Sequence, residues 1–231
     1  MSQPQHMQTF CNPIENFTQT SPFDTNRFLT LSTLSITSSL VPYINTTIGL
    51  IPDTVYGMFL CRGDMDTKSC SECVQAATIQ IATSCSLNKR AVIYYQECMV
   101  RYSNVNFFSE LETVPRTVLF SARPAPNQNR FNQTLSDKFE QLILKVSSSS
   151  LIPYFVKEQE RVTELEGSYE LESMVQCTPD LDLSSCTVCL RDAFLRVSTC
   201  CGSPSSAQIF TPKCLVRYRT SVSLSSAPPP S

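Results

Sequence analysis

One histidine, His6, is present among 231 residues. It stands near the N-terminus, in what reads as a mobile tail, so no serine or cysteine can build a histidine-assisted triad with it. Glycine is scarce as well, with five in all and none grouped into a phosphate-cradling loop. Kinase signatures are absent. No run of 18 apolar residues exists, so nothing in the chain is expected to span a membrane. Charged residues make up 16 % and the net charge is −2, which gives no electrostatic case for nucleic acid or an anionic membrane. The acidic pairs Glu110/Glu112 and Glu164/Glu166 read as solvated surface rather than as a general acid and base. The expectation is a chain that is not an enzyme and holds no cofactor.

Cysteine is what the chain does have, twelve in all. Cys61, Cys70 and Cys73 form a pattern of Cys, eight residues, Cys, two residues, Cys, and Cys177, Cys186 and Cys189 repeat it 116 residues later. The same offset relates Cys85 to Cys201 and Cys98 to Cys214, and it carries Val100-Arg101-Tyr102 onto Val216-Arg217-Tyr218. The chain is therefore a tandem repeat built on a cysteine framework. Such density belongs to oxidising compartments. Sequons at Asn16, Asn45 and Asn132 point to a secreted glycoprotein. Met1 to His6 lacks the basic and apolar parts of a secretory signal, so a signal peptide is not expected in this sequence.

Periodicity supplies the elements. Phe131, Leu135, Phe139, Leu142, Ile143 and Val146 share one helical face, a looser version runs from Leu29 to Leu40, and both follow an Asn-Arg-Phe triplet. Strands are expected at 55–60 and 172–176. Helices that start on Asp66 and Asp182 are expected over 69–82 and 184–197. Cys70 and Cys73 then lie on one face of a first turn, cannot pair with each other, and leave Cys73 in need of a distant partner. Further strands are expected at 91–95 and 99–102, with equivalents at 207–211 and 215–218, and another at 114–121 closing the first unit. From Phe28 to Cys61 is 33 residues and from Phe131 to Cys177 is 46, so the second copy carries an insertion, read as an exposed loop or helix extension over 156–167. The expected domains are 1–122 and 129–222, with a linker at 123–128 and a Ser/Pro tail at 223–231.

These motifs, with Val55-Tyr56-Gly57-Met58-Phe59-Leu60-Cys61-Arg62-Gly63-Asp64 beside them, resemble the plant salt-stress response/antifungal (ginkbilobin-like, Gnk2-homologous) domain. Two in tandem resemble cysteine-rich repeat secretory proteins and the ectodomains of cysteine-rich receptor-like kinases. The resemblance implies an α+β fold in which each disulfide-rich domain packs two helices on a five-stranded antiparallel sheet. It implies bridges Cys11–Cys85, Cys61–Cys70 and Cys73–Cys98 and, by analogy, Cys177–Cys186 and Cys189–Cys214. The second unit has no counterpart of Cys11 but has Cys200 beside Cys201. A vicinal Cys200–Cys201 bridge is expected there, with free thiols or a bridge to another chain as the alternatives. A four-thiolate zinc site from Cys70, Cys73, Cys85 and Cys98 is disfavoured by the sequons, the six-cysteine pattern and the resemblance.

The resemblance also implies a test for mannose binding, through an Asn after the first Cys, an Arg on the strand before the last Cys and a Glu beyond it. These positions hold Asn12, Val92 and Ser103 here, and the last two become Gln208 and Arg219 in the second unit. A mannose-binding antifungal lectin is thus the alternative, not the main reading. Arg62-Gly63-Asp64 spells an adhesion tripeptide and reads as a turn. The expected function is non-catalytic extracellular recognition in plant stress or defence signalling, in the apoplast or on the outer face of the plasma membrane. The expected partner is an extracellular protein or glycan, with homo- or hetero-oligomers of related ectodomains as a further option.

Overall fold

The computed structural model describes residues 3–148, 154–164, 167–200 and 202–222. The chain forms two compact units, Met1–Glu110 with Thr178–Leu181, and Leu111–Cys177 with Asp182–Ser231. The first runs β1 (His6–Cys11), α1 (Pro22–Thr37), β2 (Tyr43–Ile48), β3 (Val55–Cys61), α2 (Thr67–Ser84), β4 (Ala91–Tyr95) and β5 (Cys98–Ser103). The second repeats the order as β6 (Thr117–Phe120), α3 (Gln128–Ser148), β7 (Phe155–Glu164), β8 (Gly167–Cys177), α4 (Leu183–Cys200), β9 (Ser206–Phe210) and β10 (Cys214–Val222). Each unit holds one five-stranded sheet, ordered β1-β4-β5-β3-β2 and β6-β9-β10-β8-β7. All pairings are antiparallel. The fold is α+β, two helices on a five-stranded sheet, twice over.

The helices begin where the capping residues stand. Ser21 accepts from the Asp24 amide and Asp66 from the Ser69 amide at 2.7 Å. Asp182 does the same for Ser185 at 2.6 Å. These backbone hydrogen bonds hold the Asp66 and Asp182 carboxyls below their ordinary value. Cys61 and Cys70 join β3 to the first turn of α2, Cys73 and Cys98 join α2 to β5, and Cys11 and Cys85 join β1 to the end of α2. In the second unit Cys177–Cys186 and Cys189–Cys214 take the first two of these places. The expected Cys200–Cys201 bridge and the Ser/Pro tail at 223–231 lie outside the described residues.

Five expectations need correction. The strand expected to close the first unit is β6, and it pairs with β9 in the second sheet. The boundary between the units therefore falls at Glu110/Leu111, and 123–128 is no linker. Ala125 is buried, its amide donates to Ser203, and Pro124 bridges to Pro204. The insertion at 156–167 is neither loop nor helix: β7 and β8, of 10 and 11 residues, lengthen a hairpin whose counterparts β2 and β3 have 6 and 7. Its charge is divided between the two faces of the strand: Lys157 and Arg161 are exposed, while Glu158 and Glu160 pair with the buried Lys138 of α3. His6 is in strand β1, paired opposite Tyr95, and not in a mobile tail.

The fifth concerns the Asn-Arg-Phe triplets. Both lie within the first helix of a unit, one past the first turn of α1 and the other at the start of α3, and they are not equivalent, since Phe28 is 68 % exposed while Phe131 is fully buried. The buried set of α1 is Phe23, Arg27, Thr30, Leu31 and Leu34, and that of α3 includes Phe131, Leu135, Lys138, Phe139 and Leu142. The spacing is the same, so Phe23 matches Phe131 and Arg27 matches Leu135. Helix periodicity, not the triplet, sets the register.

Gly57 lets α1 approach β3. A Cβ there would stand 2.2 Å from Thr30 Cγ2. Gly57→Ala is expected to cost about 1–3 kcal/mol by overpacking. Gly57→Ala with Thr30→Ala should recover most of it, and urea unfolding of both variants checks the cycle.

Candidate functional site

Helices α1 and α2 leave between them an open groove of about 850 Å³. Leu31 and Ala82 line it, with Phe28, Ile36 and Ile79 exposed around them. Serine and threonine hydroxyls make up most of the remaining lining. Its only charged residues are Asp24 and Arg27, which pair with each other at 3.2 Å. Arg27 is nearly buried. Its Nη1 donates to the carbonyls of Ala82 and Cys85 at the end of α2, and its guanidinium stands 4.7 Å from the centre of the Phe17 ring. The groove is therefore apolar, hydroxyl-lined and without uncompensated charge.

The second unit shows why the first is open. Leu31 and Thr78 correspond to Phe139 and Phe194, whose rings stack at 4.6 Å and fill the equivalent space. Ser32 and Gln75 correspond to Glu140 and Arg191, which form an ion pair at 2.9 Å across α3 and α4. That ion pair raises the Arg191 pKa through its hydrogen bond to Glu140. Two small-for-large exchanges and one lost ion pair leave the first helix pair uncovered. The signal in the sequence was Thr78 standing 116 residues before Phe194.

The three positions tested for mannose are brought together at the ends of adjacent strands β1, β4 and β5, but not as a sugar site. Asn12 Oδ1 accepts from the Ile14 amide at 2.9 Å, closing a local turn. Val92 is buried, and Ser103 is buried with its hydroxyl accepting from the Val105 amide. Beside them is a cluster the sequence did not reveal. Arg90 pairs with Glu15 at 2.8 Å and donates to Asn104, whose amide donates to Glu15. These groups satisfy one another. In the second unit Gln208 lies on β9, and Arg219 lies 3.6 Å from Glu172.

Arg62 and Asp64 pair at 2.5 Å, and Arg62 also donates to the Gln96 carbonyl, so the tripeptide is a closed turn. Glu110 is exposed. The Glu164 and Glu166 side chains lie outside the described residues. Cys70, Cys73, Cys85 and Cys98 are all bridged, and none is a thiolate for a metal. The sequon asparagines Asn16, Asn45 and Asn132 are all exposed.

The profile of the family described as salt stress response/antifungal matches residues 10–105 and 121–221. The chain belongs to that family. Similar members of the salt stress response/antifungal family are secretory proteins by name. Putative cysteine-rich repeat secretory protein 7 of Arabidopsis thaliana is 70 % identical over 222 residues, covering 96 % of this chain and 78 % of that one. Cysteine-rich repeat secretory protein 9 of the same plant is 66 % identical over 231 residues, covering 100 % and 71 %. Among solved structures, the tandem DUF26 ectodomain of the Arabidopsis thaliana cysteine-rich receptor-like protein PDLP8 matches with a TM-score of 0.80 at 26 % identity, over 94 % of this chain and 98 % of that one. Neither the family description nor these names indicate a catalytic activity. Among the described residues no helix is long and apolar enough to cross a membrane.

Proposed function

We propose that this salt stress response/antifungal family member is a freestanding, non-catalytic secreted protein of plant stress or defence signalling. Its first unit would take an apolar, uncharged peptide segment of an extracellular partner into the groove between α1 and α2. One observation carries the reading: the groove lies where the first unit has Leu31 and Thr78 in place of the stacked Phe139 and Phe194 of the second. An apolar lining whose two charges neutralise each other suits an uncharged occupant, and a furrow between two helices suits the helix-in-groove mode. The names of its relatives favour a secretory protein over a receptor ectodomain. The mannose reading is not pursued, because Asn12 is engaged in a turn and Val92 is buried.

The test fills the groove as the second unit does. Leu31→Phe with Thr78→Phe is expected to leave the melting temperature unchanged or raised. Emission of Nile red, an uncharged apolar dye, should rise on adding the wild type. In the filled variant its affinity should fall about tenfold, equivalent to ~1.4 kcal/mol. Equal dye binding by both proteins would overturn the groove. A fluorescent fusion of the full-length native gene product expressed in plant cells tests the location, and signal that stays inside plasmolysed cells would overturn secretion.

A further inference from the structure

The two sheets end in four edge strands, β1, β2, β6 and β7. An open edge presents unpaired backbone groups to any other chain, and folded proteins blunt such edges with shortness, bulges or charge. Three of the four edges here carry one of these devices. Strand β6 has only 4 residues. Strand β1 breaks register between His6 and Gln8. Strand β7 bears Lys157, Glu158, Glu160, Arg161 and Glu164.

Strand β2 has none of them. Its sequence, Tyr43-Ile44-Asn45-Thr46-Thr47-Ile48, carries no charge, no proline and no glycine, and is rich in β-branched residues. All six residues pair with β3 in unbroken register, and among the described residues no strand covers the other side. What β2 does contain is the Asn45-Thr46-Thr47 sequon. Asn45 and Thr47 both point outward and are exposed. Asn45 Nδ2 donates one hydrogen to the Tyr43 hydroxyl at 3.2 Å, which leaves its second hydrogen as the one a sugar can replace.

We propose that Asn45 carries an N-linked glycan and that this glycan is the blocking device of the β2 edge, taking the part that charge takes on β7. The bond forms between the Asn45 amide nitrogen and the first sugar of a polyprenyl-pyrophosphate-linked oligosaccharide. The sugar–phosphate bond breaks, the polyprenyl pyrophosphate leaves, and one amide proton is released. Without the sugar, β2 of one molecule adds to β2 of a second copy. The proposal rests on passage through the secretory pathway.

The test expresses the full chain behind a heterologous leader in plant cells, so its outcome does not depend on where the native protein resides. Peptide mapping after peptide N-glycosidase treatment in heavy-oxygen water should show heavy aspartate at position 45. Asn45→Gln and Thr47→Ala both remove the sugar. Each should at least double the mass seen by size-exclusion chromatography with light scattering, relative to the wild type at equal concentration. Asn45→Lys also lacks the sugar but restores a charged edge, and should keep the wild-type mass. An unoccupied Asn45 in the secreted wild type overturns the proposal. So does a wild-type mass for both sugar-free variants, or association of Asn45→Lys equal to that of Asn45→Gln.

Discussion

Replacing Lys138 with alanine is expected to lower the stability of the second unit by about 3 kcal/mol, on the order of 10 °C in its melting temperature. The Lys138 side chain is 4 % exposed, and its ammonium lies 2.7 Å from Glu158 and 2.8 Å from Glu160, tying α3 to β7. Burial alone would lower the Lys138 pKa, but the hydrogen bonds to Glu158 and Glu160 outweigh it and leave it raised. Glu158 is held below its ordinary value by hydrogen bonds from Lys138 and Lys145. Alanine removes the ammonium, empties the space around its stem and leaves two carboxylates side by side. Lys138→Met keeps most of the stem and should cost roughly half as much.

The same contacts set an acid dependence. The Glu158 carboxyl has a lowered pKa in the folded state. Its contribution is therefore fully present above the ordinary carboxylate value and is lost as pH falls through the lowered one. Lys138 works in the opposite sense, since its contribution is complete below the ordinary lysine value and is lost only as pH rises through the raised one. Calorimetry from pH 3 to 7 should show the second-unit transition of the wild type falling with acid, and that of Lys138→Met falling less. A Lys138→Ala transition within about 2 °C of the wild type would show that the ion cluster holds nothing.

Arg27→Leu is the second large effect, about 3 kcal/mol lost from the first unit. Leucine is what the repeat carries at the matching position, Leu135, and in matching surroundings the exchange would be neutral. The surroundings differ. Arg27 supplies donors to two carbonyls at the end of α2 and a charge to Asp24, and its plane covers Phe17. Leucine would take the Arg27 donor from the Ala82 carbonyl, leave the Cys85 carbonyl to the Tyr102 hydroxyl and the Asn88 amide, and leave Asp24 without its cation. Arg27→Lys keeps the charge but not the planar fork, and should fall between. Denaturant unfolding decides, and an Arg27→Leu variant within about 0.5 kcal/mol of the wild type would remove Arg27 from the account.

The cysteine spacing made the repeat, the α2 and α4 helices and the strands around them legible, because a strand-to-helix junction with thiols at fixed offsets has few geometric solutions. Strand β6 was misplaced for a physical reason. It is adjacent in the chain to the first unit, and the cysteine that marks its counterpart β1 is missing from it. The hairpin of β7 and β8 was hidden by charge. Yet Lys157, Gln159, Arg161 and Thr163 are exposed in strict alternation, which is the period of a strand and not of a loop. Strand β2 was missed because its outward positions are polar and its apolar ones few. The groove was out of reach of any single repeat, since it depends on what Leu31 and Thr78 fail to fill.

The bridges also decide what a protease can do. In the first unit the links from Cys11 to Cys85 and from Cys73 to Cys98 overlap, so one backbone cut anywhere between Cys11 and Cys98 leaves a single covalent molecule. In the second unit the described bridges span only Cys177 to Cys186 and Cys189 to Cys214. Helix α3 and strand β7 lie outside both loops. A cut there is final, whereas a comparable cut in the first unit is only a nick, and wear by extracellular proteases should begin in the second repeat and leave the first intact.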